Sequence, residues 1–263
     1  MIRPIALLCC FAMPLCAQDL TGVPDDLGAQ VVVLGEVHDN PLHHLGQAEM
    51  IRRLDPRAVV FEMLTPAQAK QVNADPRTDL DGLGARIGWA TSGWPEYAIY
   101  QPVFEALGIR PVIGAAAPKD TVRQAFSGGA SAVMAPDGDR FGLADALPAD
   151  QLEQRKKMQF DAHCEAMPLD MMGGMVEAQR YRDAAFAQAV LAALETYGAP
   201  IVLIAGNGHA RTDWGVPAMI ALAAPEVSVK AIGFVEAPTE TPFDITVVTD
   251  PAERDDPCAR FNK

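Results

Sequence analysis

The sequence predicts an α/β fold: a mainly parallel sheet with a small helical lobe set between two of its strands. Three observations predict it. Short, mostly apolar runs rich in Val and Ile stand at 31–34, 58–61, 110–115 (after its opening Arg110) and 200–205, separated by stretches of helical periodicity. Strands buried on both faces read as continuous apolar runs of this kind, because neither face can be polar. The first two runs are each followed by a candidate cap and a proline, Asp39 or Asn40 before Pro41 and Thr65 before Pro66. Cap and proline start a helix straight after each strand, as right-handed parallel crossovers require.

Taken in order, the first run leads into a helix capped by Asp39 or Asn40 and reaching about Leu54. The second leads into a helix from Pro66. A long stretch parts the third run from the fourth, and two segments of it, 149–164 and 169–197, have helical periodicity. They predict a lobe of about 118–197 standing over the sheet within a single domain of 18–263. The runs at 227–235 and 245–249 are further strands, the last an edge before a polar tail.

The segment 1–17 carries one charge, Arg3, then an apolar stretch, then Ala17, the layout of a cleaved secretory signal. A periplasmic destination is expected. Cys16 raises lipid anchoring as the weaker alternative, since Met13, Pro14 and Leu15 lack the small residue favoured before a lipidated cysteine. Past Ala17 the cysteines are Cys164 and Cys258, which an oxidising compartment permits to pair. The net charge of −13 argues against nucleic acid or an anionic membrane as partner.

Polar, chemically capable residues gather at the carboxyl ends of the predicted strands, where open parallel sheets bind ligands. They are Glu36 and His38 after the first strand, Glu62 after the second and His209 after the fourth. Two carboxylates and two imidazoles suit a divalent metal with open positions, with all four as ligands, or acid/base catalysis by Glu36, His38 and His209. Each alone is ordinary loop polarity; the reading rests on their coincidence at three strand ends. His43 and His44 lie about 100° apart on the following helix, so at most one faces the crevice, and a surface position is the default for each. Gln179 and Asp183, one turn apart, share a helix face that either pairs internally or lines the crevice.

In the lobe, His163 lies beside Cys164 among Met158, Met167, Met171, Met172 and Met175. Methionines usually fill core gaps, but an apolar lobe with a histidine at its mouth also suits a porphyrin. Tyr97, Tyr100 and Tyr181 are further candidate axial ligands, with Arg180 or Arg182 for propionates. A copper site from the same Met, His and Cys residues has no regular spacing behind it.

Five blocks, GEVHDNPLHH at 35–44, FEML at 61–64, WPEYAIYQPVFE at 94–105, MVEAQRYRDAAFA at 175–187 and IVLIAGNGHARTDWGVP at 201–217, together resemble the ChaN-like haem-binding uptake proteins. These share a superfamily with the Tiki metallopeptidases and erythromycin esterases. The resemblance implies a Rossmann-like three-layer sandwich with a helical lobe, haem as cofactor, a link to outer-membrane haem and iron uptake, and in some members a homodimer. In the wider superfamily the residues matching Glu36, His38 and His209 belong to an active site, so a metal-dependent or His/Glu-based hydrolase of esters or peptides is the alternative function.

Overall fold

In the computed structural model the described residues are 20–256, 258 and 259. The signal sequence expected over 1–17, with Cys16, lies outside them. No helix among the described residues is long and apolar enough to cross a membrane.

Six strands form one sheet: β1 (Val31–Glu36), β2 (Ala58–Phe61), β3 (Val112–Gly114), β4 (Ile201–Gly206), β5 (Val229–Val235) and β6 (Ile245–Val248). Their spatial order is β3-β2-β4-β1-β5-β6 and every pairing is parallel. The expected mainly parallel sheet is wholly parallel among these residues, with β6 at an edge. The helices are α1 (Pro41–Leu54), α2 (Pro66–Ala74), α3 (Leu83–Arg86), α4 (Tyr97–Leu107), α5 (Lys119–Gly128), α6 (Ala130–Met134), α7 (Ala149–Ala162), α8 (Met172–Tyr197), α9 (Asn207–Ala210) and α10 (Val216–Ala223).

The two-residue period of a strand divides the apolar runs between two cores. Val32, Leu34, Val59, Phe61, Val202 and Ile204 face α1, α2 and α4. Val31, Val33, Val60, Ile201 and Leu203 face the other way, against α6, α8 and α10. Burying each such side chain contributes about 1.5–3 kcal/mol, which is why both faces must be covered. The predicted lobe is drawn into this layering: α8 packs directly on β2, β3 and β4, while α5, α7 and α10 pack on α8. Cys164, in the turn after α7, is disulfide-bonded to Cys258 of the tail, 94 positions away.

Both helix starts form as their sequences dictate. Asn40 accepts a hydrogen bond from the Leu42 amide with Pro41 in the first turn, and Arg52 and Arg53 complement the last. Thr65 and Gln68 form a reciprocal capping box. Asn40 is fully buried and its Nδ2 also donates to Glu236 and to the Asp250 carbonyl, tying α1 to the segments after β5 and β6. Replacing Asn40 by Ala is expected to cost about 2 kcal/mol or more, because a cap and two buried partners are lost together. Thr65→Ala should cost about 1 kcal/mol. Urea unfolding measures both, and a smaller loss at Asn40 than at Thr65 would contradict this account.

Candidate functional site

Parallel pairing brings the strand ends into line. Glu36 at the end of β1 stands opposite Gly206 at the end of β4, and the Glu62 amide hydrogen-bonds to the Ile204 carbonyl. Glu36, His38, Glu62 and His209 therefore meet at one edge of the sheet. The junction is tight: a Cβ on Gly206 would sit 2.8 Å from His38 Nε2. Gly206 also donates its backbone amide to Glu62 Oε2 at 2.7 Å. Glycine is required there by close approach rather than by backbone torsion.

Glu36 has no exposed side-chain surface. Its Oε1 accepts from Tyr100 at 2.6 Å and from His38 Nδ1 at 2.7 Å; its Oε2 accepts from Gln47 at 2.7 Å. Burial opposes its charge, but His44 beside it and the hydrogen bonds of His38 and His44 hold the carboxyl well below the usual range. Across the edge, His209 Nδ1 contacts Asp183 Oδ1 at 2.6 Å and its Nε2 lies 3.4 Å from Glu62 Oε1. Burial disfavours the imidazolium, yet Glu62 and Asp183 raise His209 to about 10. Burial likewise opposes the Glu62 charge, and His209 nonetheless brings that carboxyl down to about 2. Burial pushes the Asp183 carboxyl up, an effect His209 offsets in part.

The three site histidines differ in what their ring nitrogens are free to do. His209 has a carboxylate on each side, and His44 has two acceptors, Gln47 Oε1 and the His38 carbonyl, both at 3.0 Å. Rings placed between two acceptors are imidazolium. His38 commits Nδ1 to Glu36, while its Nε2 is 3.9 Å from Glu62, beyond hydrogen-bond distance, and a third of its side chain is exposed. Burial lowers its affinity for a proton, but Glu36 and Glu62 outweigh this and raise it.

His43 and His44 correct the sequence expectation, since both are fully buried. His44 faces the site. His43 faces the other side of α1, where its Nδ1 accepts from the Val37 amide and its Nε2 meets Thr249. Burial, then the neighbouring His44, pulls it down to about 4, so it is neutral in the fold. Sequence reasoning also missed Gln47, whose only signal is its place one turn after His43 and His44. The Gln179 and Asp183 face does line the crevice, since both contact His209. Behind Asp183, Arg155 is buried with Nε and Nη1 lacking hydrogen-bond partners among the described residues, as does Asp183 Oδ2.

The four proposed metal ligands come together, but Glu36 and His209 have their donor atoms engaged by protein. No group of three or more His, Cys, Asp and Glu among the described residues is arranged to hold a metal ion.

Two adjoining cavities open beside this edge. One, of about 510 Å³, is walled by Glu62, Gln68, Trp94 and Phe186; Trp94 packs on His38 with ring centroids 4.8 Å apart. The other, of about 490 Å³, is walled by Phe126, His163, Met175 and Gln179. Ala117, Lys119 and Arg182 line both. The remaining candidate ligands lie elsewhere. Tyr100 is fully buried on Glu36, and Tyr97 packs its ring on Trp89 and Phe104 with a buried hydroxyl that burial makes still harder to ionise. Tyr181 is in the core, and Arg180 is fixed to Glu177 and to the Gly142, Leu143 and Asp145 carbonyls.

The profile of a family described as haem-binding uptake, Tiki superfamily, ChaN, matches residues 25–220. The chain belongs to this family. Among solved structures, this ChaN-family chain is similar to ChaN of Campylobacter jejuni, reported with cofacial heme binding, at 16% identity and a TM-score of 0.62 over 83% of this chain and 86% of that one. That likeness establishes the shared α/β fold. Weaker similarity extends to an erythromycin esterase mutant in its open conformation (15% identity, TM-score 0.42, 80% and 70% of the chains). The type III effector HopBA1 is at a similar level (14%, 0.43, 85% and 88%). No curated protein matches.

The ion pair of Glu62 and His209 makes stability depend on pH with a definite sign. His209 is raised from 6.5 to about 10, so its contribution is complete below about pH 6.5 and is lost as pH rises towards 10. Glu62 is lowered from 4.5 to about 2, so the same pair is lost on the acid side between those values. His209→Gln should flatten the alkaline decline in melting temperature between pH 7 and 10. An unchanged slope in that variant would show that the pair does not set it.

Proposed function

We propose that this chain is an exported haem-binding protein of haem and iron uptake, working in the periplasm with the outer-membrane uptake machinery and, as the resemblance implies, as a homodimer. Family membership supports haem, and the observation that carries the site is His163. Its Nδ1 is hydrogen-bonded to the Gln159 carbonyl at 2.7 Å, so the ring is oriented and Nε2 is left as the ligating atom. Iron- and zinc-binding histidines are held in just this way, by a backbone carbonyl on the other nitrogen. His163 lines a cavity with Phe126 and Met175 as apolar wall, and with Lys119, Arg123 and Arg182 to meet propionates. The residues present therefore fit haem. Haem, if bound, would supply an iron centre, and His163 would hold it through Nε2. Export is supported by the leader-like segment 1–17 and by the bridge of Cys164 to Cys258, which an oxidising compartment sustains.

Titration of residues 18–263 with haemin should give a saturable Soret shift, weakened at least about tenfold, or about 1.4 kcal/mol, in His163→Ala and unaffected in Tyr97→Phe. Wild-type protein that never shifts the band would remove the haem reading. An unaffected His163→Ala would move the axial ligand elsewhere.

A second reading, hydrolysis of esters or peptides, is favoured by one specific feature. His38 alone among the site histidines offers a ring nitrogen without a hydrogen bond, and Glu36 fixes its orientation through the other, the arrangement of a general acid/base. His38→Gln and Glu36→Gln should each lower turnover of a responsive ester at least about a hundredfold. A broad ester and peptide panel that wild-type protein leaves intact would eliminate this reading.

A further inference from the structure

The cavity beside the strand ends is absorbed by neither reading of haem nor by the hydrogen-bonded network beneath it. Its walls combine one partly exposed aromatic ring, Trp94, with two cations, Lys119 and Arg182, over a floor that includes the buried Phe186. Among the described residues neither cation is engaged in an ion pair, and both are exposed. In a chain of net charge −13, two positive charges thus stand beside one cavity without carboxylates of their own. Cations kept free at the lip of a cavity with an aromatic wall attract an anion and leave its apolar part to the ring. Glu62 is also in the wall, though its charge is matched by His209 at 3.4 Å. A ligand bearing one negative charge at the cation end is therefore favoured over one charged throughout.

We propose that this half of the cleft is a second binding site, for a carboxylic acid with a flat apolar body, its carboxylate held by Lys119 and Arg182 and its body lying against Trp94. Because Lys119, Arg182 and Ala117 line both cavities, the acid and haem draw on the same wall and exclude one another. The site lies beside His38 through the contact of that ring with Trp94. Occupancy would thus be felt at the acid/base edge of the sheet. The binding claim stands independently of haem; the exclusion claim rests on the haem reading.

Equilibrium dialysis of residues 18–263 against naphthoate, with neutral naphthamide as its isosteric control, tests it. Naphthoate is expected to bind saturably and naphthamide about tenfold more weakly, since the amide cannot use the cations. The double variant Lys119→Ala, Arg182→Ala should lose that preference while leaving naphthamide binding as it was. Trp94→Leu should weaken both probes and so place them in this cavity. Both substituted cations are exposed, so misfolding does not cloud the result. Equal binding of the two probes, no binding of either, or an unchanged preference in the double variant would overturn the site. Haemin added to the naphthoate complex should displace the probe. Failure to displace it, in protein whose Soret band shifts normally, overturns the exclusion alone, and protein that does not bind haemin leaves the naphthoate result as the test of the site.

Discussion

Everything at the sheet edge depends on burying Glu36 without losing its charge. A carboxylate removed from water is costly unless hydrogen bonds and opposite charges surround it. Tyr100, His38 and Gln47 supply the hydrogen bonds, and His44 stands 3.5 Å away as a counter-charge. Four elements are thereby pinned to one carboxyl: β1, the loop after it, α1 and α4. The same alternation of acid and imidazole continues through Glu62 and His209 to Asp183 on α8. The helical layer and the sheet are joined by charge at their common edge and by apolar packing below it.

Such a chain is rigid in a particular sense. Removing any one member leaves a buried neighbour of opposite sign without its partner, which costs more than the lost contact itself. Gly206 allows the close approach that makes the chain continuous, with its amide on Glu62 and its missing Cβ leaving room for His38. The exception is His38 Nε2, the one ring nitrogen of the three site histidines left uncommitted beside a cavity. Every other ring nitrogen of these three histidines is held by a protein partner.

The strands are legible because strands covered on both faces write themselves as apolar runs, and the helix starts because Asn40-Pro41 and Thr65-Pro66 are local devices. The convergence of Glu36, His38, Glu62 and His209 follows from the rule that parallel strands end on one edge. What lies beyond the sequence is direction in space. The pair His43 and His44 reads as polar, and only the packing of α1 against the sheet and beside α4 shows both rings buried, with different partners. Tyr100 has the chemistry of an iron ligand, yet its hydroxyl is spent on Glu36. Asp183 is visible only as half of a helical pair, since its partner His209 comes from a separate element, beyond the whole of β4. The two cavities, formed by loops from distant segments, leave no periodic trace in the chain.

The strand order has a consequence for how the molecule is made. β1 precedes the other strands in the chain, but its neighbours in the sheet are β4 and β5, which begin at Ile201 and Val229 and so are synthesised much later. Until then β1 has no partner on either edge, and its valine and leucine side chains have no sheet to join. Pairings this distant are slow to form and leave sticky edges exposed meanwhile. A nascent or truncated chain ending before Ile201 lacks β4, β5 and β6 and, from the charged edge, His209, so β1 stays bare on both sides and Glu62 and Asp183 lack the imidazole they share.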